Sequence, residues 1–257
     1  MPIMTIIAGK GGVGKTVTAQ NLGHALALAE QRTLLVDMDP QASLSTSWGV
    51  YRQGYMKTVY EAMITPEAAS GCVQNLRSRL DLLPASSDLA GARNQFQDNP
   101  FGMFYRLKAA LAGVRESYDY ILIDTPPHLD FLSANALMAA NQALVVLQTE
   151  WLAYNTLNAC LRYIQMAQQQ NQGLGVRGIL LTMRDKRVKL SELVEERARE
   201  ELSGLEYYVF STVIPENAAL KYAAIKGTSV YEYESTASGA VAYQELAKEL
   251  LDEQDTN

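Results

Sequence analysis

The sequence predicts an α/β fold: a mostly parallel central sheet covered by helices on both faces. Three observations predict it. Near-continuous Ile/Leu/Val runs of strand length recur along the chain, longer amphipathic stretches separate them, and a glycine-rich turn joins the first run to the first helix. Strands buried on both faces read as unbroken apolar runs, and strands alternating with helices pair in parallel.

The elements follow in order. "IMTIIA" (3–8) is the first strand and "TVTAQNLGHALALAEQ" (16–31) the first helix. Further strands are "TLLVD" (33–37), "LDLLP" (80–84), "YDYILID" (118–124), "ALVVLQ" (143–148), "VRGILLT" (176–182) and "YYVFSTVI" (207–214). Helical patterns lie near 101–116, 130–140, 153–171, 190–203 and 236–251. Residues 40–100 are the least regular part and read as a functional loop region. There is no internal repeat and no linker, so residues 1–257 are expected to form a single domain.

Composition excludes several classes. Of 257 residues 48% are hydrophobic, enough for a sizeable core. The formal net charge of -6 does not suggest a general nucleic-acid binder, although a local basic patch remains open. Cys72 and Cys160 form no CxxC pair, which argues against a zinc site or a disulfide scaffold. The start lacks a basic n-region, and no apolar run reaches the ~18 residues of a membrane helix. The expectation is a soluble cytoplasmic protein.

The stretch "AGKGGVGKT" carries the chemistry. Gly9, Gly14, Lys15 and Thr16 fit G-x-x-x-x-G-K-[ST], placed between a strand and a helix. Such a loop turns its backbone N–H groups inward at phosphate oxygens, and the helix N-terminus adds partial positive charge. The loop residues Gly11, Gly12, Val13, Gly14, Lys15, Thr16 and Val17 would cradle a nucleotide. Lys15 would reach the β- and γ-phosphates, and the Thr16 hydroxyl would ligate Mg²⁺. The expected fold is therefore a P-loop NTPase, Rossmann-like in its layers.

Two acidic strand ends supply partners. "YDYILIDTPP" ends its apolar run at Asp124, a Walker B form that would hold Mg²⁺ through a water. "VDMDPQ" places Asp37 and Asp39 two residues apart, where a carboxylate can face the metal and orient the attacking water. Capping the following loop or helix is the other reading, and it weighs more for Asp37 than for Asp39.

These motifs carry a family resemblance. "KGGVGKT", "VDMDPQAS", "YDYILIDTPP", "LLTMRDKR" and "VIPENAAL" occur in the order and spacing of the ParA/Soj family of deviant Walker-type ATPases, from about residue 3 to 251. The resemblance implies ATP and Mg²⁺ as cofactors and a homodimer with two nucleotides between facing subunits. It implies that Lys10 is the signature lysine crossing to the partner's phosphates, and that Asp39 is needed for hydrolysis. Glu150 resembles a position that pairs with the incoming lysine, and Pro215 and Asn217 match a loop contacting adenine. It further implies slow ATP hydrolysis stimulated by a ParB-like or cargo-adaptor protein, and nonspecific DNA binding by the ATP dimer at the nucleoid.

The candidate DNA residues are Arg184, Lys186, Arg187 and Lys189 in "RDKRVK", with Lys221 and Lys226. A solvated loop balancing the acidic helix "SELVEERAREEL" is the ordinary alternative. The chain also departs from the family: Glu216 and Ala219 stand where arginines are common, and Ala224 replaces a proline. Membrane binding is not expected, because the tail "ELAKELLDEQDTN" has five acids and one lysine. Nor is an iron–sulfur cluster, because "IDTPPHLDFLSANAL", the stretch close after the Walker B strand, has no cysteine. The leading expectation is an ATPase switch that positions a plasmid, a chromosome region or a protein assembly. The alternative is an assembly or metabolic ATPase of the same fold that binds no DNA. His24 and His128 read as ordinary residues, with a nucleotide-sensing role open for His128. For Trp48, packing and a partner contact are both open.

Overall fold

The computed structural model describes residues 1–51, 56–149, 153–185, 189–204 and 207–252. Eight strands form one sheet: β1 (Ile3–Ile7), β2 (Thr33–Asp37), β3 (Gln74–Arg77), β4 (Leu80–Leu83), β5 (Tyr120–Asp124), β6 (Gln142–Gln148), β7 (Gly175–Arg184) and β8 (Val209–Pro215). Their order across the sheet is β3-β4-β2-β5-β1-β6-β7-β8, and every neighbouring pair is parallel except β3 with β4. The α/β fold with its mostly parallel sheet is thus the one expected.

The helices are α1 (Lys15–Leu28), α2 (Ser43–Ser47), α3 (Val59–Ile64), α4 (Ala92–Gln95), α5 (Arg106–Ala112), α6 (Phe131–Ala139), α7 (Ala153–Gln168), α8 (Lys189–Ser203), α9 (Ala218–Ile225), α10 (Val230–Glu234) and α11 (Ser238–Asp252). Strand side chains alternate between two cores. Ile7, Val36, Ile123 and Val145 pack on the α3–α8 side, while Ile6, Leu35, Leu122 and Leu144 pack on the side of α1 and α9–α11. α1 lies close on β2: a Cβ on Gly23 would come 2.4 Å from a Leu35 methyl. α11 covers the outer flank of α1, where the Tyr243 and Thr18 hydroxyls bond at 3.0 Å.

Several boundaries differ from the sequence pattern. The apolar period continues to residue 31, but α1 stops at Leu28 because the chain turns left-handed at Glu30 (φ 64°) and Gln31 N–H bonds back to the Leu26 carbonyl. The pattern at 101–116 yields only α5. Asn99 holds Gly102 N–H through its side-chain oxygen at 2.9 Å, which starts a tight turn before the helix, and Gly113 caps its end. The 40–100 region is more regular than its composition, with β3 and β4 as a hairpin at the sheet edge and Thr58 and Glu61 forming a capping box for α3.

β8 is the other edge. Its register with β7 slips between Ile179/Val209 and Leu181/Val213. The amides of Ser211 and Thr212, left outside the ladder, donate to the Glu249 carboxylate of α11 at 2.7 and 3.0 Å. The hydroxyls of Tyr208 and Thr212 donate to it as well, at 2.6 and 2.7 Å.

Candidate nucleotide site

The site lies at the C-terminal ends of the central strands, where open α/β sheets bind ligands. β1 ends at Ile7, and the glycine-rich loop runs from there into α1. Gly12 (φ 78°) and Gly14 (φ 98°) take the left-handed conformation that an L side chain resists. Gly9 is required sterically, since a Cβ there would stand 2.1 Å from the Thr156 carbonyl oxygen at the start of α7. Gly14 caps α1 and uses no side-chain oxygen to do so. The first-turn N–H groups are thereby left to a ligand.

Lys15 is buried. Burial lowers its pKa, and the nearby Asp124 and Asp39 carboxylates work against that. Thr16 donates its hydroxyl hydrogen to Asp124 Oδ2 at 2.7 Å. Asp124 is fully buried at the end of β5, and its Oδ1 has no hydrogen-bond partner among the described residues. Burial, and next the Asp37 charge, raise its pKa, while Thr16 and Lys15 oppose the shift. A buried carboxylate oxygen without a donor is costly unless a cation or donor completes it. Thr16, Asp124 and Asp39 therefore fit the oxygen donor set of Mg²⁺, which keeps several waters and uses one or two carboxylates. Among the described residues, no group of three or more His, Cys, Asp or Glu side chains forms an all-protein metal cage.

Asp37 and Asp39 separate in role. Asp37 Oδ2 accepts from the Ser45 N–H and hydroxyl, both at 2.8 Å, and Oδ1 accepts from Asp39 N–H at 3.1 Å. Burial pushes its pKa up to about 6. Asp37 thus shapes the loop into α2. Asp39 Oδ1 takes the Gln41 N–H at 2.9 Å, and the residue is 9% exposed and near enough to Lys15 to act on its charge.

The remaining predicted residues divide. Lys10, Gly11 and Gly12 are exposed on the outer bend of the loop. Val13 is buried, and its carbonyl accepts from Thr182 Oγ1 at 2.8 Å. Val17 is half-buried. Pro215 ends β8, and Asn217 caps α9, accepting from Ala219 N–H and donating to Ser238 Oγ, both at 2.9 Å. Glu150, Lys186 and Arg187 lie outside the described residues, and of Lys189 only the backbone, at the start of α8, is described. Arg184 is engaged by Glu195 at 3.2 Å and Glu192 at 3.9 Å, and Lys221 by Glu216 at 2.9 Å. Two of the candidate DNA cations thus meet acids of their own chain, those of Arg184 on the acidic helix α8 and that of Lys221 in the turn before α9. Lys226 is exposed at the end of α9.

Sequence reasoning missed Ser45, Thr182 and Met183. "LLTMRDKR" contains the last two, but only the fold shows that they touch the phosphate loop. His128 is exposed and His24 is buried beside Trp48. Cys160 lies near Lys15, but burial pushes its thiol up to about 12, which keeps it inert.

Residues 1–176 match a family described as an AAA domain. Over 244 residues the chain is 38% identical to the chromosome-partitioning ATPase Soj of Treponema pallidum, covering 94% of each chain. Over 250 residues it is 36% identical to the sporulation initiation inhibitor protein Soj of Bacillus subtilis, covering 96% of this chain and 97% of that one. Among solved structures it resembles the cobyrinic acid a,c-diamide synthase of Mycobacterium smegmatis with bound ATP analog and magnesium. The TM-score is 0.86 at 32% identity, covering 98% of this chain and 94% of that one. It also resembles the McdA–ATP complex of Cyanothece, with a TM-score of 0.84 at 25% identity, covering 98% and 96% of the two chains.

Proposed function

The chain belongs to the ParA/Soj family, and from that membership we propose that it is an ATP-hydrolysing switch that positions or segregates a cargo. The observation that carries the ATPase reading is the join of Thr16 to Asp124 beside buried Lys15, with one Asp124 oxygen lacking a donor among the described residues. Lys15 and the loop amides hold the phosphates of ATP. Mg²⁺, when bound, neutralises phosphate charge and would be held by Thr16, Asp124 and Asp39. Asp39, near Lys15, orients the attacking water.

Lys10 serves the second subunit in this reading. It lies on the exposed outer bend, whereas Lys15 already serves the phosphates of its own subunit. In an ATP-bound homodimer it meets the partner's γ-phosphate, where exclusion of water strengthens the attraction. Hydrolysis removes that charge, so nucleotide state sets oligomeric state. Glu150 pairs with the incoming lysine, and Pro215 and Asn217 flank the adenine. A ParB-like or adaptor protein stimulates turnover and couples it to cargo.

The ATP dimer binds nonspecific DNA at the nucleoid, with Lys186, Arg187, Lys189 and Lys226 as the principal contacts. The pairing of Arg184 and Lys221 with their own chain's acids favours the second reading, an assembly or metabolic ATPase without DNA. DNA retention with ATP and with ADP across a salt series separates the two. The first reading expects ATP-dependent retention that falls steeply with salt. Turnover of Mg–ATP without retention at low salt supports the second, and absence of Mg-dependent turnover overturns both.

A further inference from the structure

Met183 lies inside β7, yet its φ is +57°. A side chain in the left-handed region is strained, and such strain persists only where the surroundings over-determine it. Among the described residues, the other left-handed ones that are not glycine, Glu30, Ala42 and Arg79, all lie in connections between elements. At Met183 the ladder to β8 slips, between Leu181 and Arg184. The backbone around it is held: Thr149 Oγ1 lies 3.3 Å from the Thr182 carbonyl oxygen and 3.4 Å from that of Met183, its one hydrogen shared between them, and Glu216 N–H donates to the Arg184 carbonyl at 3.0 Å. A slip of this kind re-aims a side chain at the rim of a sheet.

The side chain belongs to neither core and is half-buried. It rests on the phosphate loop: a Cβ placed on Gly14 would lie 3.7 Å from the Met183 Cε. On its other side Arg184 is in register with Pro215, where the turn to Asn217 begins. Met183 therefore lies against the end of the phosphate loop and one residue along β7 from the position that pairs with Pro215.

We infer that Met183 is a nucleoside-positioning residue, whose thioether forms the apolar surface between Gly14 and the Pro215–Asn217 turn on which the sugar and base of a purine nucleotide rest. This rests on the nucleotide reading of the site. A thioether is polarisable and suited to contact with a ring. The loop amides and Lys15 bind phosphate oxygens and carry no information about the base. Recognition of the nucleoside is thus separable from recognition of the phosphates.

The test compares wild type, Met183→Ala, Met183→Gln and Met183→Leu. Each is titrated with ATP and with inorganic tripolyphosphate, both with Mg²⁺, by calorimetry. The alanine and glutamine variants are expected to bind ATP roughly tenfold more weakly and to keep tripolyphosphate affinity within about twofold. Leucine, apolar and of similar volume, is expected to retain most of the ATP affinity. Thermal melting checks the fold, and if alanine does not fold, glutamine and leucine carry the comparison. Unchanged ATP binding in the variants overturns the inference, as does a parallel loss for both ligands, which would mean that Met183 only props the loop. Wild type binding tripolyphosphate but not ATP overturns it while the phosphate loop stands. Wild type binding neither ligand overturns the nucleotide reading as well.

Discussion

Asp37 and Asp124 are register partners on the adjacent parallel strands β2 and β5, and both are fully buried. The Asp37 charge raises the cost of ionising Asp124, yet the oxygens of the two are used differently. Both oxygens of Asp37 accept hydrogen bonds, from Ser45 and Asp39, whereas Asp124 keeps one without a donor among the described residues. One carboxylate builds the loop, and its neighbour is the one proposed to serve a cation. Asp37→Asn should cost stability, roughly 1–3 kcal/mol, because an amide oxygen can take the two donors of Ser45 but its NH2 group then faces the Asp39 N–H, which is left without an acceptor. Asp124→Asn should keep the fold and lose the Mg²⁺ dependence of ATP binding. Urea denaturation and ATP titration with and without Mg²⁺ read the two effects. Equal loss of stability in both variants would contradict the division.

Asp39 and Lys10 should fail at different stages. Asp39→Ala should bind ATP, hydrolyse it at least ~100-fold more slowly and accumulate as a dimer. Lys10→Ala should bind ATP through Lys15 and neither hydrolyse efficiently nor dimerise. Turnover assays with sedimentation in ATP distinguish them. Wild-type turnover in Asp39→Ala, or wild-type turnover and dimerisation in Lys10→Ala, removes the corresponding role.

His24 makes the fold sensitive to mild acid. Its Nδ1 lies 2.6 Å from Ser229 Oγ, and its ring meets Trp48 and Tyr231 edge-on, both at 5.6 Å. Burial lowers its pKa below the ordinary 6.5, with Glu232 raising it and Arg77 lowering it further. The folded state thus favours the neutral ring. Its contribution is complete above pH 6.5 and is lost as pH falls through the folded pKa, with a slope of at most about 1.4 kcal/mol per pH unit. Asp37, raised to about 6, acts with the opposite sign, so the comparison must be with a variant. Thermal midpoints from pH 5 to 8 should fall more steeply toward acid in wild type than in His24→Gln. Parallel profiles would refute the assignment.

Glu249 guards the sheet edge. Burial works to raise its pKa, but hydrogen bonds from Tyr208, Thr212 and Ser211 outweigh it and hold the carboxyl below its ordinary value. Glu249→Ala strands two amides at the slipped register of β8. The expected loss is roughly 1–3 kcal/mol, with faster exchange of the Ser211 and Thr212 amides. Unchanged exchange would mean that water replaces the carboxylate at no cost.

The phosphate loop and the parallel sheet were legible because their signals are local. Gly9 to Thr16 specify a turn by residue type and spacing, and the strands announce themselves as unbroken apolar runs. The division of labour between Asp37 and Asp39 was only half legible. Spacing places both near the phosphates, but the partner that occupies Asp37 is Ser45, eight residues on, in a loop whose composition gives no period. Arg184 and Lys221 read as free positive charge because sequence does not reveal which acids stand beside them. Met183 was hidden in a recognised motif, since a residue's φ is set by the register of the strands around it. The short α9 and α10 escaped notice because their start signals, Asn217 and the Ser229–Glu232 box, depend on cap geometry more than on period.

The cover that α11 gives to α1 bears on where the protein can be cut. The family match ends at residue 176, the second residue of β7. A fragment ending there would keep every phosphate-binding residue and lose Thr182 from the Val13 carbonyl and Tyr243 from Thr18. It would also bare Leu22 and Leu26, which share a core with Tyr243, Leu246 and Leu250. Such a fragment should be insoluble or unfolded even though its motif is intact. The last third of the chain is the other wall of the nucleotide-binding helix, so insertions and fusion points belong at the termini and outer loops.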